Sequence, residues 1–146
     1  MPHPTSRIII EKDLRLAVVC YGGISLAVYQ HGITKELLKL VRASEACQNE
    51  LDPAREGDGG SKSANNQQSD TEADTESVYC DLLREIRRNN LDLRIIVDVI
   101  AGSSAGGING VVLARAIAHD LPIEPLTNMW LANADIARVL AADAKA

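Results

Sequence analysis

Twice along the chain a run of apolar residues ends on a pair of small residues and gives way to helical spacing. The first run, Leu14 to Cys20, follows the shorter apolar triplet Ile8–Ile10 and a charged break at Glu11–Asp13, and it reads as the firmer strand. It ends in Tyr21-Gly22-Gly23-Ile24-Ser25. From there Leu26, Tyr29, Ile33, Leu37 and Leu40 recur at three- and four-residue intervals, which predicts one stripe of a helix ending near Arg42. Glu76 to Asn89 predicts a second helix, with Val78, Leu82 and Ile86 on one face, Leu83 at its border and Asn89-Asn90 as a stop. The second apolar run, Leu91 to Ala101, is rich in β-branched residues and leads into Gly102-Ser103-Ser104-Ala105-Gly106-Gly107. Ile108, Val111, Val112 and Leu113 then predict a mostly buried helix to about His119. Leu121-Pro122 breaks it, and Pro125 to Ala144 predicts two short helices, with Trp130 and Leu131 packed on the core. The order strand, helix, helix, strand, helix belongs to the α/β class, a parallel sheet covered by helices.

Composition alters this picture at one place. Residues 44–77 carry nine acidic and two basic side chains, and Leu51 is their one large aliphatic residue, so the segment cannot bury enough apolar surface to offset its ordering. It is expected to be a mobile insertion, and an acidic docking tail is the functional alternative. The formal charge of −5 therefore belongs to this segment, and the rest of the chain has nothing of a basic nucleic-acid surface. At 146 residues one domain is expected, with residues 1–13 as an extension and 14–146 as the domain. Cys20, Cys47 and Cys80 lack the paired spacing of a zinc or redox motif, which suits a reducing compartment. The first residues lack a signal-peptide core, and no apolar run approaches the roughly 18 residues of a membrane span. Those absences place the chain in the cytoplasm, touching a membrane at most from outside.

The chemistry centres on Ser104. A serine hydroxyl attacks poorly unless a tight turn holds it proud of the backbone near a base, and a strand-to-helix elbow presents it that way. Gly102 and Gly106, around Ser103 and Ala105, remove the side chains that such a turn would crowd. The alternative for the same residues is a Gly/Ser turn that binds phosphate at a helix N-terminus. At the other junction the N–H groups of Gly22 and Gly23 can point above the sheet and hold a developing oxyanion, or the two glycines can simply make the turn.

Taken together, Leu16–Tyr29, with Gly22-Gly23-Ile24-Ser25-Leu26-Ala27-Val28, and Asp98–Gly110, with Gly102-Ser103-Ser104-Ala105-Gly106-Gly107, resemble the N-terminal half of the patatin-like phospholipase domain, most of all its bacterial branch. The resemblance spans roughly residues 14–42 and 76–132. It implies a three-layer α/β/α parallel sheet, incomplete at the C-terminus, and hydrolysis of lipid acyl esters by a Ser-Asp dyad without metal or cofactor. By that carry-over Ser104 is the nucleophile, and Gly22, Gly23 and Ile24 form the oxyanion hole. Its substrate would be a lipid or other acyl ester met at a membrane surface. Two departures stand out. Tyr21 replaces the first glycine of the family's loop, and Leu26 falls where many members carry a basic residue. The family's aspartate lies far downstream of the serine in Asp-Gly-Gly or Asp-Gly-Ala, and no Asp after Ser104 is followed by Gly: Asp120, Asp135 and Asp143 precede Leu121, Ile136 and Ala144. The chain then reads as the front portion of a larger protein in which an unassisted Ser104 hydrolyses poorly.

Other titratable groups fit a catalytic role less well. His119 stands 15 residues beyond Ser104, about 22 Å away along one continuous helix. His31 reads as a packing or surface histidine of the first helix, His3 as part of an unstructured end, Asp98 as a structural carboxylate and Asn109 as a helix-packing hydrogen-bonder. Two function classes remain: a serine acyl hydrolase domain lacking its aspartate, and a non-catalytic α/β interaction module that keeps the elbow. Acyl transfer to an acceptor other than water is not separable from hydrolysis by sequence.

Overall fold

A computed structural model describes residues 8–49 and 75–133. The element order is β1 (Ile10–Cys20), a 3-10 turn (Ile24–Leu26), α1 (Ala27–Asn49), α2 (Thr75–Arg88), β2 (Leu91–Gly102), α3 (Ala105–His119) and α4 (Glu124–Asn133). The fold is mixed α/β, and β1 pairs with β2 in a two-stranded parallel sheet. Residues 1–7 of the expected N-terminal extension, the centre of the acidic segment (50–74) and the second helix expected towards Ala144 lie outside the described residues.

By contacts the chain divides into two compact units. In the unit formed by residues up to Arg15 with Lys39–Ile96, the strand does not stop at the charged break: β1 begins at Ile10. The reason is local pairing, since Asp13 accepts two hydrogen bonds from the Arg94 guanidinium at 3.0 and 3.1 Å, and the Ile10 N–H donates to the Asn90 carbonyl at 2.9 Å. Charged residues in an edge strand cost little when they bond across the ladder. The first helix likewise runs past Arg42 to Asn49, and the acidic segment surrenders its first residues to that helix. Ala43 and Ser44 are buried there, and the Ser44 hydroxyl accepts from the Ile95 N–H at 2.9 Å, a tertiary bond that polarity counts do not register. On α2 the buried face is turned away from the expected stripe. Leu83 is buried while Val78 and Leu82 are exposed, because the helix presents Cys80 to α1, with its thiol donating to the Ala43 carbonyl and the Cys47 thiol donating to the Cys80 carbonyl, each at 3.8 Å.

The other unit, Leu16–Leu38 with the residues from Val97 onward, holds two apolar clusters. One gathers Ala27, Ala105, Leu126 and Trp130, and the other Leu38, Leu113, Ala116 and Ile123, with Val112 against both. The buried face of α1 in this unit is Ala27, His31, Thr34 and Leu38, whereas Leu26, Tyr29 and Ile33 of the expected stripe are exposed. The small and polar residues face inward because His31 and Thr34 find bonds there. His31 Nε2 and the Thr127 hydroxyl of α4 are 2.7 Å apart, and the Thr34 hydroxyl donates to the His31 carbonyl at 2.9 Å. Trp130 packs on the core as expected, but Leu131 is 65% exposed, one residue round the helix from the packed face. On α3 the helix is buried through Leu113, Ala116, Asn109 and Gly110, while Ile108 and Val111 face outward.

Candidate functional site

The second unit contains both small-residue junctions, and it brings them into contact. Ser104 sits between β2 and α3 at φ 51° and ψ −127°, a backbone region that L-residues other than glycine rarely occupy, and it is exposed. That is the conformation that lifts a hydroxyl clear of a strand-to-helix turn. α3 then starts at once, with the Gly107 and Ile108 N–H groups donating to the Ser103 and Ser104 carbonyls at 3.1 Å each.

The glycines of the elbow are needed for space. A Cβ on Gly102 would lie 2.6 Å from the Gly106 carbonyl oxygen, and one on Gly106 would run into the Cys20 carbonyl and stand 2.9 Å from the Tyr21 oxygen. Backbone occupies those places, so no side chain can turn aside to make room. The burial of Ala105 and Gly106 against these neighbours seats the start of α3 close to the end of β1.

The glycine loop lies directly alongside. The Ser103 N–H donates to the Cys20 carbonyl at 3.1 Å, and the Gly22 N–H donates to the Ser103 hydroxyl at 2.9 Å. Gly23 then takes φ 145°, which favours glycine, and leads into the 3-10 turn. Its carbonyl accepts from the Leu26 N–H at 3.1 Å, while the N–H groups of Ile24 and Ser25 open the turn and have no acceptor within it. Tyr21 is 77% exposed, and its carbonyl is held by the Gln30 side-chain amide from α1. Thus Gly22, Gly23, Ile24, Gly102, Ser103, Ser104, Ala105 and Gly106 form one contiguous cluster, with Ala105 and Gly106 buried in it. The Ser103–Gly22 bond was not legible in the sequence; a hydroxyl beside Ser104 was its only trace.

The remaining candidates lie elsewhere in roles of their own. Asn109 is wholly buried and bridges two elements, its amide donating to the Ala27 carbonyl at 3.1 Å and its oxygen accepting from the Trp130 indole N–H at 2.9 Å. His31 is buried beside Thr127, with Nδ1 lacking a partner. Burial above all, then the Lys35 ammonium, holds the imidazole below its ordinary pKa, with Glu124 opposing. His119 ends the continuous α3, and Asp98 is exposed on β2. Asp135, Asp143 and His3 lie outside the described residues. Among the described residues no side chain is hydrogen-bonded to the Ser104 hydroxyl, and no three His, Cys, Asp or Glu residues group as metal ligands. In the other unit a cavity of ≈ 380 Å³ is lined in part by Cys47, Arg84, Arg87 and Arg88. Its arginines pair with Asp81, Asp92 and Glu85, so it carries no excess positive charge for an anion.

Comparison with known proteins adds one relative. The chain is 29% identical over 130 residues to an uncharacterized membrane protein of Mycobacterium tuberculosis, a match that takes in 89% of this chain and 10% of that protein. The chain therefore spans about a tenth of the length of the curated relative it matches. No protein-family profile matches it, and no solved structure does. The likeness overturns the expected cytoplasmic placement, because a protein similar over most of this chain is described as a membrane protein. Membrane location can be conferred by segments far from a given domain, so the lack of a long apolar run here did not bear on it. Among the described residues no helix is long and apolar enough to cross a membrane.

Proposed function

We propose that this chain carries the nucleophile and oxyanion-loop portion of a patatin-like serine acyl hydrolase of three-layer α/β/α architecture, acting on lipid-borne acyl esters at a membrane surface. The observation that carries the reading is Ser104: an exposed serine in a strained strand-to-helix turn, abutting a glycine loop that opens a helical turn whose first N–H groups have no acceptor within the turn. In this reading Ser104 Oγ bonds to the ester carbonyl carbon and loses its proton to a base. The oxygen that gains charge is held by backbone N–H groups of the loop. Loss of the alcohol leaves an acyl-serine, and water then releases the acid and restores the hydroxyl. In this reading the carboxylate base comes from elsewhere in the natural protein, since no aspartate after Ser104 is followed by glycine.

A fluorophosphonate probe tests this on the natural full-length protein. Labelling of wild type at Ser104, abolished by Ser104→Ala together with ester turnover, is the expected result. A folded protein that neither takes the probe nor turns over esters would instead be a non-catalytic α/β module, a reading favoured by the absence of any side chain bonded to the Ser104 hydroxyl among the described residues.

A further inference from the structure

Ser103 makes two bonds to the end of β1 and the loop that follows, and they differ in what they require. Its N–H donates to the Cys20 carbonyl at 3.1 Å, which any residue except proline would do at this position. Its hydroxyl accepts from the Gly22 N–H at 2.9 Å, which only a side chain with an acceptor can do. The loop has no slack at this contact, since a Cβ on Gly22 would lie 2.7 Å from both the Ser103 carbonyl oxygen and Ser104 Cβ. Immediately after Gly22 the chain turns through Gly23 at φ 145° and enters the 3-10 turn at Ile24.

From this we infer that Ser103 is a positioning residue of the acyl-transfer site: its hydroxyl takes up the Gly22 N–H, fixes the glycine loop beside Ser104, and leaves the N–H groups of Gly23 and Ile24 to hold the oxyanion. The inference rests on Ser104 being a nucleophile. A Gly-Gly pair has more backbone freedom than any other dipeptide, so the N–H groups of Gly23 and Ile24 need an anchor to be aimed together. Donors accelerate acyl transfer only when they are already aimed at the place where charge develops. With the Ser103 acceptor removed, the Gly22 N–H turns to water and the two donors after it no longer share one orientation.

The test compares Ser103→Thr, Ser103→Val and Ser103→Ala in the natural full-length protein by the rate of fluorophosphonate labelling at Ser104. Threonine and valine have the same shape, and only threonine keeps the acceptor. Val and Ala are expected to slow labelling by about tenfold or more, a lesser effect than the 10²- to 10³-fold of deleting an oxyanion donor outright. Thr should label at close to the wild-type rate. A Val variant as fast as wild type, or Thr and Val equally slow, overturns the proposal, the second because packing and not the hydroxyl would then be at work. Amide exchange in the wild-type protein supplies a check that needs no variant to fold: Gly22 should be protected relative to Gly23 and Ile24, and equal exchange of all three overturns the clamp. Wild type that fails to label at all defeats the reading of Ser104 itself, a different outcome from wild type that labels and a Val variant that keeps pace.

Discussion

Ser104 holds a conformation that costs a serine about 1–3 kcal/mol, and glycine would hold it at little cost. Ser104→Gly should therefore raise stability by about 1 kcal/mol in urea unfolding while abolishing probe labelling, and an equal or lower midpoint would mean that the turn is not strained. His31 gives the second prediction at this scale. Its folded pKa lies below the ordinary 6.5 that the unfolded chain keeps, so between the two values the unfolded state binds more protons. Stability should be full above 6.5 and fall as the pH drops through 6.5 towards the depressed folded value, and His31→Gln should flatten the profile in that window. The groups around the imidazole are Lys35, Glu124 and the Thr127 hydroxyl. Ser104 was legible because an elbow writes its spacing in consecutive letters. The bonds of His31 and Ser103 were not, because their partners are 96 and 81 residues away.

Among the elements, the alternation of strand, small-residue turn and helix was legible, and so was the extent of α3. The helical faces were not. Periodicity weighs large aliphatic side chains, whereas the closest packing here uses small ones: Ala27, Ala43 and Ala105 are buried, and Gly110 leaves a space where a Cβ would meet Ile100 at 2.9 Å. Large residues such as Tyr29 and Leu82 consequently fall on outward faces. Two substitutions measure how far the junctions depend on such contacts. Gly106→Ala drives a Cβ against the Cys20 backbone, and it should destabilise by about 2–3 kcal/mol or more, beyond the ordinary cost of overpacking, because carbonyls cannot rotate away. Asn109→Leu should cost about 2–4 kcal/mol, since it leaves the Trp130 N–H in the core without a partner and takes from the Ala27 carbonyl the bond it makes outside its own helix. Both are read from urea midpoints at constant slope. An Asn109→Leu variant as stable as wild type would mean that water reaches those two groups.

At the scale of the whole molecule, large apolar side chains stand exposed on several elements among the described residues. Val99 of β2 is 54% exposed and Val111 of α3 is 69% exposed, with Tyr29, Ile33 and Ile108 also outward. A pair of parallel strands leaves the outer edge of each without a strand partner, and a sheet of two strands is marginal without further cover. Scattered exposed valines need no explanation, but exposed apolar residues on both strands and on helices of one unit favour association in water. Expressed by itself, the 146-residue chain should bind 8-anilinonaphthalene-1-sulfonate and sediment above its monomer mass. Val99→Lys and Val111→Lys should each lower both signals while leaving the far-ultraviolet circular dichroism unchanged. Should the chain run as a dye-silent monomer, those faces are sealed by its own residues, and the exposed valines would no longer distinguish this surface from that of an ordinary small domain.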